Sequence, residues 1–161
     1  MSWPKHTFRG VEYEFGHLKP FPLPVAGQRV LVKFGAHVFC KEFQAIDPTD
    51  FVFMDGKTKR TFCPVRHGLS LSLGPTIVAA SAGYVYEGGQ GKFLFKQALP
   101  PPQGFYLIAF QMWQNTSPHY EVTLQLNSAH TRQFIKNSRF AKFADAVAAI
   151  ANGQPIPWIK K

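Results

Sequence analysis

The 161 residues carry 18 Lys and Arg against 9 Asp and Glu, a formal net charge of +9, and 45% of them are hydrophobic. That length suits one α+β domain, residues 1–161, able to bury a core without staples. Two cysteines are too few for a disulfide scaffold, and no window approaches the roughly eighteen apolar residues of a membrane-spanning helix.

No basic start followed by an apolar run marks a signal peptide, so a reducing cytoplasm is the expected compartment. The first 55 residues hold six Lys/Arg and six acids, whereas residues 56–161 hold twelve and three. The whole positive excess therefore lies in the last two thirds. A field of that sign attracts polyanions and makes binding salt-sensitive, which favours nucleic acid or an anionic surface as partner. RNA is the nucleic acid expected, and a protein is the other partner class.

Residues 7–18, TFRGVEYEFGHL, alternate as one strand, with Val11, Tyr13 and Phe15 on one face and Glu12 and Glu14 on the other. KPFPLPVAG has three prolines in nine residues and reads as a rigid connection. QRVLVKFGAHVFCKEF reads as a second strand with Val30, Val32 and Phe34 on one face. Continued alternation adds Ala36, Val38 and Cys40 to that face and sets His37 opposite, unless Gly35 marks a bulge.

After the turn cluster Asp47-Pro48-Thr49-Asp50, the runs FVFM and KTKRTF flank Asp55-Gly56. A two-residue Asp-Gly loop suits a type I′ turn, so a β-hairpin is expected over about residues 50–63, ended by Pro64. Residues 65–82 fit a helix through Leu69, Leu73 and Ile77, or a strand through Leu69, Leu71 and Leu73. Gly74-Pro75 interrupts both, and Pro suits a first helical turn. Two short helices, at about 66–73 and 75–82, are expected, the second ended by Gly83.

YVYEGGQGKFLF reads as a hairpin. Its GGQG tip is not a phosphate loop, because no helix follows to aim backbone amides at an anion and the Walker spacing is missing. FYLIAFQMW and YEVTLQL, joined by QNTSPH, form the clearest hairpin. The first is nearly all apolar and reads as a central strand covered on both faces. The second sends Tyr120, Val122, Leu124 and Leu126 inward and Glu121, Thr123 and Gln125 to solvent.

SRFAKFADAVAAIANGQP is the best helix, apolar at Phe140, Phe143, Ala144, Val147, Ile150 and Ala151, capped by Ser138 and stopped by Asn152-Gly153. Trp158 docks back on the body. The architecture expected is α+β: a mainly antiparallel sheet built from hairpins, a short central helical segment and a C-terminal amphipathic helix.

Three groups of residues have chemical potential. Lys57, Lys59, Arg60, Arg66 and His67 fall close together, and no acid occurs from Gly56 to Tyr86. They form either a solvated face or an anion site. Metal-independent RNA cleavage needs a base, an acid and a cation for the phosphorane charge. His37, His67 and His130 are the acid/base candidates, and Lys59, Arg60, Arg66 and Arg132 the phosphate contacts. Acids are scarce where the charge lies, which argues against two-metal phosphoryl chemistry.

No cofactor is required by this scheme. Zinc is the one the ligand types admit, through His37, Cys40, Cys63 and His67 as H-x2-C and C-x3-H pairs. The third group is aromatic residues among cations, Lys92-Phe93-Leu94-Phe95-Lys96 and Arg132-Gln133-Phe134-Ile135-Lys136. Where exposed, such rings stack bases of single strands; where buried, they are core.

His17-Leu18, Phe34-Gly35-Ala36-His37-Val38-Phe39 and the run Arg60-Thr61-Phe62-Cys63-Pro64-Val65-Arg66-His67-Gly68-Leu69-Ser70 resemble segments of small uncharacterised proteins of bacterial genomes and mobile elements. The resemblance brings no activity with it, but it falls on the same His37, Arg60 and Arg66. Small basic α+β domains with His and Arg on an antiparallel sheet include toxin-like ribonucleases, a fold-level analogy. The function expected is a metal-independent ribonuclease of that kind. The alternative is a non-catalytic nucleic-acid- or protein-binding module, with or without structural zinc.

Overall fold

In the computed structural model, which describes residues 3–160, the chain forms β1 (His6–Phe8), β2 (Val11–Tyr13), β3 (Phe21–Val25), β4 (Gln28–Phe34), β5 (Cys40–Glu42), β6 (Val52–Asp55) and β7 (Thr58–Phe62). Then come α1 (Pro64–Ser70), α2 (Leu73–Ala80), β8 (Tyr84–Glu87), β9 (Phe93–Ala98), β10 (Phe105–Gln114), β11 (Val122–Arg132), β12 (Phe140–Lys142) and α3 (Phe143–Ala151). The main sheet runs β12-β8-β9-β10-β11-β4-β3, and two smaller sheets are β1-β2 and β5-β7-β6. Pairing is antiparallel except between β11 and β4, so the fold is α+β and mainly antiparallel, with a C-terminal helix.

Alternation explains the main core. Val30, Val32 and Phe34 of β4 are buried, as are Val122, Leu124 and Leu126 beside them in register and Tyr106, Ile108, Phe110 and Met112 of β10. Helix α3 lies on this face. Phe143, at its start, packs against Phe95 and Phe110 with ring centroids 5.0 and 6.2 Å apart. Fully burying a side chain of that kind stabilises by about 1.5–3 kcal/mol. Trp158 docks from the tail, stacking on Phe93 at 5.8 Å.

A second, aromatic lobe lies between the two small sheets and α1. Phe8 and Phe62 stack face to face at 4.2 Å, with Phe15, Phe39 and Phe53 around them. Both lobes belong to one hydrophobic cluster.

Several expected elements are corrected. The strand over 7–18 is split, because Arg9 (φ 51°) and Gly10 (φ 75°) both take positive φ and turn the chain between the paired Phe8 and Val11. That is the type I′ requirement. The proline-rich connection is strand β3, which lies at the edge of the main sheet, where a missing N–H costs no ladder bond. The long second strand ends at Phe34. Gly35 then approaches Leu126 so closely that a Cβ would lie 2.9 Å from its carbonyl oxygen, and Ala36–Val38 form a 3₁₀ turn that carries the chain into another sheet.

The hairpin loop is Gly56-Lys57, since Asp55 pairs with Thr58; Gly56 alone has positive φ (61°), as a type II′ turn asks. Thr123, expected in solvent, is buried and accepts from Asn115 Nδ2 at 2.8 Å. The exposed ends of β10, Gln111 and Trp113, show that its second face is only partly covered. Helices α1 and α2 exist as expected but start two residues earlier, with Pro64 in the first turn of α1. Ser138 does not cap α3. Residues 140–142 pair with β8 as β12, and Lys142 becomes the N-cap with no side-chain bond.

Candidate functional site: an arginine-centred junction and an open sheet face

Arg66 sits in the first turn of α1, just after the strand that carries Arg60. Its Nη1 donates to the carbonyl of Cys40 at 2.6 Å and of His37 at 3.4 Å. It thereby ties the 3₁₀ turn after β4 to α1. His37 is half-buried on that turn. Burial lowers its pKa below 6.5, the charges of Arg60 and Arg66 lower it further, and Asp55 and Glu42 oppose them. The charges of Arg60 and Arg66 thus both reach His37. Burial pushes the Cys40 thiol up to about 12, so it stays protonated.

Tyr106 and His130 also lie within the field of Arg66. Sequence reasoning missed Tyr106, which in FYLIAFQMW looks like any core aromatic. Three buried polar atoms of this region have no hydrogen-bond partner among the described residues: Arg60 Nε, Tyr106 Oη and His130 Nδ1. A buried polar atom without a partner costs about 1–3 kcal/mol. Each of the three is therefore an expense in stability.

His67 is placed differently. It is buried, its Nε2 donates to the Glu14 carbonyl at 2.8 Å, and its ring meets Tyr13 and Phe15 edge-on. Ser70, fully buried, donates to the His67 carbonyl at 2.7 Å and lies 2.8 Å from His17 Nε2. With the serine proton spent on that carbonyl, His17 is the donor to Ser70, so the pair is not a nucleophile and base. His17, His67 and Ser70, which carried part of the resemblance, work together as a clasp between the segment after β2 and α1.

The candidate zinc ligands do not assemble. His67 faces Glu14, and among the described residues no group of three or more His, Cys, Asp or Glu could hold a metal ion.

His130 and Arg132 lead to a second region. Residues paired across strands share a face. One face of β9-β10-β11 therefore shows the rows Ala98-Phe105-Arg132 and Lys96-Leu107-His130. Arg132 Nε donates to His130 Nε2 at 2.9 Å, which leaves the ring proton on Nδ1. Burial, then Arg66 and Arg132, lower the His130 pKa. Residues 133–138 run over this face. Lys96 Nζ holds them, 3.4 Å from the Lys136 carbonyl and 3.5 Å from Ser138 Oγ, and also sits 4.0 Å over the Tyr86 ring. Two adjoining clefts, of about 460 and 440 Å³, flank Phe134 to Asn137.

Lys59, the remaining phosphate candidate, stands apart on β7, its ammonium 4.8 Å from the Phe43 ring. His119, in the β10–β11 loop, is exposed.

Residues 5–150 match the model of the YjaZ family. The chain belongs to that family. The match spans the arginine-centred junction, the clasp and the open sheet face alike, so all three lie within the YjaZ unit. No curated protein and no solved structure matches the chain. No helix of the described residues is long and apolar enough to cross a membrane.

Proposed function

We propose that this chain is a small basic protein that acts on RNA, as a metal-independent ribonuclease in which His37 moves the proton and Arg60 and Arg66 supply the positive field for phosphate. The observation that carries this reading is the environment of His37. Burial and two arginines lower its pKa and so favour the neutral imidazole, the form a general base needs. The arginines that depress it would also favour the charge that develops on a phosphorane. His130, coupled to Arg66 and bonded to Arg132, is the second proton-transfer group of the scheme. Cys40 and Cys63 are free thiols, which suits a reducing cytoplasm.

The test is cleavage of labelled RNA in excess EDTA by wild type, His37→Gln and Arg60→Gln, with folding checked by circular dichroism. Loss of a positioned base costs about 10²–10⁴ in rate. The reading therefore expects wild-type cleavage and at least a hundredfold loss in His37→Gln. Equal cleavage by all three proteins would assign the activity to a contaminant.

A second reading is favoured by a separate observation. Arg66 and His67 spend hydrogen bonds on backbone carbonyls, as groups that hold a fold do. On that reading the chain binds RNA without cutting it, and binding without cleavage by any of the three proteins would establish it.

A further inference from the structure

Phe134 is 92% exposed, at odds with what a phenylalanine costs in water, and it lies between Arg132 and Lys136. The other aromatics of the same two segments, Phe93 and Phe95, are buried and belong to the core. Phe134 is not an isolated surface residue either. It lines both clefts on the open face of β9-β10-β11, whose floor carries half-buried Phe105 in one and Leu107 in the other.

Charge on the rim is one-sided. Arg132 lines one cleft and Lys136 both, and neither takes part in an ion pair among the described residues. The one carboxylate at the clefts, Glu87, is held by two bonds from Arg139, at 2.8 and 2.6 Å. A flat apolar ring between two cations, over clefts with apolar floors, is the arrangement that takes a stacked base with a phosphate on either side. A duplex offers no free base face, and a protein partner would leave the two cations without a set of regularly spaced anions.

We infer that the clefts beside Phe134 bind a segment of single-stranded RNA, with one base stacked on Phe134 and its flanking phosphates on Arg132 and Lys136. This rests on the RNA reading above and adds the substrate class, an unpaired strand, and a binding site distinct from the His37 group. The two meet at His130, which feels both Arg66 and Arg132.

The experiment measures binding of fluorescein-labelled 2′-O-methyl dodecauridylate by anisotropy, since the blocked 2′-oxygen separates binding from cleavage. Wild type, Phe134→Ala, Phe134→Trp and Lys136→Ala are compared, together with the same length of RNA duplex. Phe134 is on the surface, so its loss leaves the fold intact, and melting curves verify this. Stacking of one base contributes enough that Phe134→Ala is expected to weaken binding about fivefold or more. Phe134→Trp should retain or tighten it, and the duplex should bind more weakly than the single strand. Unchanged binding in Phe134→Ala would overturn the cleft while leaving the ribonuclease reading intact. Absence of both binding and RNA cleavage in wild type would overturn the two together.

Discussion

Tyr106 is 1% exposed and its hydroxyl has no partner among the described residues, so the phenol is a cost that the fold carries. Burial raises its pKa and outweighs the opposing field of Arg66, so the phenol stays protonated. Removing the oxygen removes an unsatisfied donor and keeps the ring. Tyr106→Phe is therefore expected to raise stability by about 1 kcal/mol in urea unfolding. A loss of stability instead would mean that the hydroxyl finds an acceptor in solution. The histidines carry a second residue-level consequence. His17, His37 and His130 all have pKa values lowered from 6.5, chiefly by burial. The unfolded chain then binds more protons than the folded one between the lowered values and 6.5. Their contribution is complete above pH 6.5 and is lost as pH falls through that window. The melting temperature should drop between pH 7 and pH 5, and His37→Gln and His130→Gln should each flatten the profile. The most depressed carboxylates, Asp47 and Glu121, are held down to about 2, so their own losses come at lower pH.

The N-terminus of α3 is the weakest-made end of a well-buried helix. Lys142 stands at the N-cap in extended conformation, exposed, with no side-chain bond to the first turn, and its charge opposes the helix dipole. Lys142→Asp supplies an acceptor and reverses the charge, so about 1 kcal/mol of added stability is expected, read as a higher melting temperature. Unchanged melting would mean that pairing of Lys142 with Tyr84 in β12 holds the backbone out of capping geometry. The same element shows what the sequence could and could not reveal. The 3.6-residue period of Phe143, Val147 and Ile150 is visible and correct. The start is not, because Phe140 and Ala141 fit a strand as well as a helix, and only their distant partners Tyr86 and Val85 decide. The same holds for β3, whose prolines are tolerated only because nothing pairs beyond it. Arg9-Gly10 was hidden because Arg is rarely asked to take positive φ. In the candidate site, the residue types of Arg66, His37 and Arg60 were legible in the sequence, whereas their mutual placement was not. That His67 turns inward was not, since its acceptor, Glu14 O, is a backbone atom 53 residues away.

Across the whole molecule the charge is sorted as well as excessive. The described ion pairs use Glu12, Glu14, Asp47, Asp50, Glu87 and Glu121. None of these pairs involves Lys57, Lys59, Arg60, Arg66, Arg132 or Lys136. If that charge serves only solubility, RNA binding should depend on salt in a way that no single cation controls. If it marks a strand path, each phosphate contact contributes about −0.7 to the slope of log K against log salt for a single strand. The cleft alone, through Arg132 and Lys136, accounts for about −1.4. A strand that continues past His130 to the β6–β7 hairpin and α1 meets further cations and steepens the slope. We expect a wild-type slope steeper than −1.4 with the 2′-O-methyl dodecauridylate. We also expect that replacing Lys57 and Lys59 together by Ala makes it shallower, while leaving the loss caused by Phe134→Ala unchanged. A slope of about −1.4 that is insensitive to the Lys57 and Lys59 pair would confine the strand to the clefts. In that case the field around His37 would have to act on an anion other than the RNA held at Phe134.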